Sequence, residues 1–96
     1  MKQYDRLKIE KPPKTIAELS TFADFLQPRL STGSVRLCDS DHYGVHIKCQ
    51  FKEGQCDILD EGKYFDLALY STAESEAANK EAFGQVVELF KEWLAL

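Results

Sequence analysis

The sequence predicts an α+β domain: an antiparallel four-stranded β-meander packed on an N-terminal helix and a long C-terminal helix, in the order (β)-α-β-β-β-β-α. Three observations carry this expectation. Apolar and polar residues alternate with period two between Ser34 and Ser71. Two near-identical turn sequences, Lys52-Glu53-Gly54-Gln55 and Asp60-Glu61-Gly62-Lys63, interrupt that alternation. Apolar residues recur at helical spacing on both sides of it.

Taken in chain order, Tyr4 to Ile9 can add a fifth, edge strand with Leu7 and Ile9 on one face, ended by Pro12-Pro13. Thr15 and Glu18 form a capping box, which predicts a helix from Ile16. Its apolar stripe is Ile16, Leu19, Phe22, Ala23 and Leu26, and Pro28 closes it after about three turns. In the strands, Val35 and Leu37 share the inner face, followed by Tyr43, Val45, Ile47, Cys49 and Phe51. Turning at Glu53-Gly54 sets Phe51 opposite Cys56 and Cys49 opposite Ile58. Turning at Glu61-Gly62 sets Ile58 opposite Phe65 and Cys56 opposite Leu67, with Leu69 extending the row. A second capping box, Ser71 with Glu74, opens about 22 residues of helix whose stripe holds Phe83, Val86, Val87, Phe90 and Leu94, with Leu89 and Trp93 beside it.

Ninety-six residues suffice for one domain, residues 1–96, built as a basic arm over 1–14 and a compact body over 15–96. The arm has five Lys/Arg against two acids, a charge of +3, so the body holds −7 of the net −4. Duplex nucleic acid requires clustered cations that this body does not supply, so no nucleic acid is expected as partner. A basic protein fits the field better. No apolar run reaches the ~20 residues of a membrane span, and the first residues lack a hydrophobic signal, so a cytoplasmic location is expected. Three cysteines without C-x-x-C spacing fit reduced thiols there.

Constellations with chemical potential are few. Cys38, His42, His46 and Cys49 have the residue types of a zinc site, but parity sends Cys49 inward and the other three outward, and no metal or other cofactor is expected. The histidines, four residues apart on an extended strand, lie roughly 13 Å apart, and each reads as a surface side chain. Asp39-Ser40-Asp41-His42-Tyr43-Gly44 starts like a calcium loop, yet Tyr43 and Gln50 occupy ligand positions, which makes it a hairpin turn. No set of residues fills the roles of nucleophile, base and orienting group, so a non-enzyme is expected.

The element order α-β-β-β-α resembles that of the double-stranded-RNA-binding domain, with Ala77-Ala78 in the last helix. That family sets lysines at the start of this helix, where this chain has Glu74 and Glu76. Membership is therefore not assigned.

The outer sheet face holds Arg36, His46, Lys48, Gln50, Asp57, Leu59, Tyr64, Asp66, Ala68 and Tyr70. With the turn acids, Asp57, Leu59, Asp60, Glu61, Tyr64, Asp66 and Tyr70 form the expected partner-binding surface, with Leu59 opposite Tyr64 and Asp57 opposite Asp66. The expected function is a small acidic protein-binding module, in the manner of an inhibitor or immunity-type protein covering a basic partner. The alternative is a small-molecule-binding or catalytic domain with a helix–sheet pocket and Cys38, His46 or Tyr64 as its polar groups. A homodimer through the fourth strand's edge or the outer face is a third expectation.

Overall fold

A computed structural model describes residues 1–13 and 17–96. The elements are β1 (Lys2–Glu10), α1 (Leu19–Leu26), β2 (Ser34–Ser40), β3 (Gly44–Phe51), β4 (Gly54–Asp60), β5 (Tyr64–Ser71) and α2 (Glu76–Leu94). The sheet is five-stranded and antiparallel in the order β1-β5-β4-β3-β2. This is the expected α+β fold, with the optional N-terminal strand present. Because β1 pairs along β5, the edge of the fourth meander strand is occupied, and the free edges are β1 and β2. No helix among the described residues is long and apolar enough to cross a membrane.

Both helices pack on one face of the sheet. Alternation gives that face Ile47, Cys49, Phe51, Cys56, Ile58, Phe65, Leu67 and Leu69, which join Phe22, Leu26, Phe83, Val86 and Phe90 in one buried cluster. Phe90 is its hub, 4.7 Å from Phe22 and 5.0 Å from Phe65 between ring centroids, both edge-on. Trp93 closes the margin at 5.1 Å from Phe22 and 5.5 Å from Phe90. Val45 and Leu37 belong to this face by parity but remain about half exposed, with Val45 beside the start of α1.

Both hairpin registers are displaced from expectation. Cys49 faces Cys56 and Phe51 faces Gly54, so the first turn is centred on Lys52-Glu53. Glu53 takes the left-handed conformation with φ 54°, and Gly54 enters the strand. Ile58 faces Leu67 and Cys56 faces Leu69 in the second hairpin. Its turn is centred on Gly62-Lys63, with Gly62 at φ 92° and the Glu61 amide donating to the Tyr64 carbonyl at 3.0 Å. Each slip moves a strand by two residues, which changes the partners and preserves the faces.

Both helices start later than expected. Glu18 is extended and caps α1 without a side-chain bond, so α1 is an eight-residue helix, about two turns. The capping partner Thr15 and the expected first residue Ile16 lie outside the described residues. Ser71 does not cap α2: it ends β5, fully buried, with its hydroxyl donating to the Thr72 carbonyl and accepting from Asn79. Asn79, on the first turns of α2, also donates to the Lys52 carbonyl at 2.9 Å. Thr72 and Ser75 donate to the Glu53 carboxylate at 3.2 and 2.8 Å, so the first hairpin tip anchors the start of the helix. These tertiary bonds satisfy groups that local capping would otherwise serve.

Candidate functional site

The opposite face of the sheet carries no helix. Its strands still present alternate residues, and β5, between β1 and β4, places Asp66, Ala68 and Tyr70 there. Ala68 faces Asp57 on β4 and Arg6 on β1. A methyl group between longer neighbours leaves a depression, and a basin of about 540 Å³ opens there. Its far wall is the β2–β3 turn with Tyr43 and the adjoining His46.

Charge in the basin is partly spent. Asp66 is only 4 % exposed although no helix covers it. The Arg6 Nε donates to both of its carboxylate oxygens at 3.0 Å, and Arg6 Nη2 adds a further bond to Oδ2. This fork holds the Arg6 guanidinium above its ordinary pKa. Asp57 differs: it accepts from the Gln55 amide at 3.0 and 3.3 Å and, among the described residues, forms no ion pair within 4 Å. Burial pushes its carboxyl above the usual range, opposed by Lys48 across the strand pair, by the Gln55 hydrogen bond and by His46.

A carboxyl whose folded pKa exceeds its unfolded one opposes folding once ionised. The cost is absent below the ordinary carboxylate range and complete above the raised value. Asp57→Asn, which keeps an oxygen for Gln55, is therefore expected to stabilise the protein at pH 7. Urea midpoints measured from pH 7 downward should show that gain vanishing below about pH 4.

His46 points to the outer face as parity requires, but it is 5 % exposed and not a surface side chain. The Tyr43 ring stands edge-on at 5.9 Å, and His46 Nδ1 lies 2.9 Å from the Gly44 carbonyl. A carbonyl only accepts, so Nδ1 carries the proton. Tyr43 itself is 63 % exposed at the rim, contrary to its expected inward orientation. The strand begins only at Gly44, whose φ of 63° turns the chain and removes Tyr43 from the alternation.

Five of the seven expected partner-binding residues, Asp57, Leu59, Glu61, Asp66 and Tyr70, line this basin. The other two stand outside it. Asp60 pairs with Lys11 at 2.6 Å, and Tyr64 lies beneath the Lys8 ammonium, 4.8 Å from its ring centroid. The expected cross-strand pairs are corrected by the register: Leu59 faces Asp66, and Asp57 faces Ala68 rather than Asp66. The like-charge conflict between the two aspartates is thereby relieved. Arg6 was missed as a site residue, although Leu7 and Ile9 pointing inward place Arg6 outward by the same alternation.

The residues expected in a helix–sheet pocket do not share one. Cys38 and His46 face each other on the helix-free side of β2 and β3, and Tyr64 lies on β5. The Cys38 thiol has its hydrogen-bond contact with the Arg36 carbonyl, at 3.9 Å. Cys49 is fully buried on the other face, so the Cys38, His42, His46 and Cys49 set does not converge. Asp39 to Gly44 is a hairpin connection, with the Tyr43 amide donating to the Ser40 hydroxyl at 3.0 Å.

The class defined by fold and site is thus an α+β sheet domain with one helix-covered face and one open, basin-bearing face. Comparison with family models, curated proteins and solved structures gave no match.

Proposed function

We propose that the protein is a non-enzymatic protein-binding module, an inhibitor or immunity-type protein acting in the cytoplasm, that docks a basic partner on its open sheet face. The observation that carries this reading is Asp57: a half-buried carboxylate at the floor of a basin, held above its ordinary pKa by burial, hydrogen-bonded by the Gln55 amide and, among the described residues, without an ion pair within 4 Å. Desolvation without an ion pair is a cost in the free protein that an incoming cation removes. Four carboxylates against two cations line the basin, which favours a positive partner.

Tyr43, Tyr70 and Leu59 supply broad contact around that charge, the composition expected of a docking surface. Charge reversal must spare Asp66 and Asp60, whose loss strands Arg6 and Lys11. The test is therefore Asp57→Lys with Glu61→Lys in affinity capture from the native host at low salt, with folding checked by circular dichroism. A partner bound by the wild type is expected to be retained at least about tenfold less by the variant. Equal retention rejects this face as the contact.

A further inference from the structure

Resting on that reading, the geometry points to the chemistry of the group that enters the basin: one arginine side chain of the partner, its guanidinium bound by Asp57 with Tyr70 as an aromatic wall.

Shape is the first argument. Ala68 is the only small side chain in the outer row of β5, set between Asp66 and Tyr70 along the strand and between Arg6 and Asp57 across it. The resulting space, about 540 Å³, exceeds what a compact ammonium fills and accommodates a planar group on a long stem. Tyr70, diagonal to Asp57 on the neighbouring strand, lines the basin and supplies the aromatic ring on which that plane would stack.

The arrangement of acceptors is the second. Asp66 is saturated by Arg6, whereas Asp57 has hydrogen-bonding capacity left beyond Gln55. His46 donates through Nδ1 to Gly44, which leaves Nε2 as an acceptor. Among the described residues no buried side-chain nitrogen or oxygen lacks a partner, so Nε2, which has none in the protein, keeps access to the basin. Separate acceptors on the adjoining strands β3 and β4 suit the five directed donors of a guanidinium better than the point charge of lysine. Weak hydration lowers the cost of bringing a guanidinium to a half-buried carboxylate. The same fold already shows the pairing once, in the Arg6 fork on Asp66.

The test uses the full chain labelled with nitrogen-15 and two probes of equal charge, a short Gly/Ser peptide with three arginines and its counterpart with three lysines. The arginine peptide is expected to shift the amides of Asp57, Ala68 and Tyr70 and to bind about fivefold more tightly than the lysine peptide. Ala68→Leu, which sets a branched side chain on the basin floor beside Asp57, and Asp57→Asn, which removes its charge, should each abolish those shifts. Unchanged resonances at Val86 and Phe90, buried in α2 on the other side of the sheet, report that the variants remain folded. Equal affinity for the two peptides at these amides overturns the arginine socket and leaves the basic-partner surface standing. Arginine shifts that survive Ala68→Leu also overturn it. Neither peptide shifting these amides overturns the socket, and the charge-reversal capture then decides the docking face independently.

Discussion

Phe90→Ala is expected to destabilise the protein by about 3–5 kcal/mol, a large share of the ~5–10 kcal/mol that a domain of this size holds. Phe90 is fully buried and meets Phe22 from α1, Phe65 from the sheet and Trp93 from its own helix. Its removal takes away a fully buried ring in contact with all three, and none of them can swing into the space without leaving its own packing. Urea titration followed by far-ultraviolet circular dichroism measures the loss. Trp93 emission should shift to longer wavelength in the same variant, because the wall that shields it is gone. A loss below about 1.5 kcal/mol, the scale of a tolerated core swap, would mean that the helix layer is not held by this aromatic junction.

Gly54→Ala is expected to cost about 3 kcal/mol, although the backbone there needs no special torsion. A Cβ at Gly54 would stand 2.7 Å from the Tyr70 carbonyl oxygen and would overlap the Asn79 amide. That amide bonds the Lys52 carbonyl and the Ser71 hydroxyl, so displacing it breaks one buried and one part-buried hydrogen bond as well. Gly84→Ala is the matched control: it lies on the exposed side of α2 with open space around it. There the same substitution should stabilise by about 0.5–1 kcal/mol through helix propensity. Thermal melts of the two variants should move in opposite directions. Equal, small shifts would show that the contact between the hairpin and α2 carries little of the stability.

That glycine also explains what was legible in the sequence and what was not. Alternation identified the inner row from Ile47 to Leu69 and hence the face that carries Asp57, Leu59, Asp66, Ala68 and Tyr70. Partner identities were misread because Gly54 resembles a turn glycine. Its role is close approach to Asn79, a contact made by a helix more than twenty residues away, and Glu53 adopts the positive φ instead. Ser71 misled in the same way: a residue type that caps helices is used as a buried hydroxyl in a strand. The basin itself follows from the register. Only with Ala68 beside Asp57, and Arg6 on the far side, does a gap form and one of two aspartates remain without an ion pair.

The pairing of β1 with β5 has a consequence for how the molecule assembles. Neighbouring meander strands meet across short turns, whereas Arg6 must find Asp66 over a separation of 60 residues. Closing so long a loop carries a higher entropic barrier than closing a hairpin. The β1 segment is therefore expected to dock after the meander hairpins have closed, and its docking completes both the sheet margin and the wall of the basin. Completion of the basin is in this way coupled to the closing of that long loop, so a chain with β1 undocked would lack the Arg6 wall.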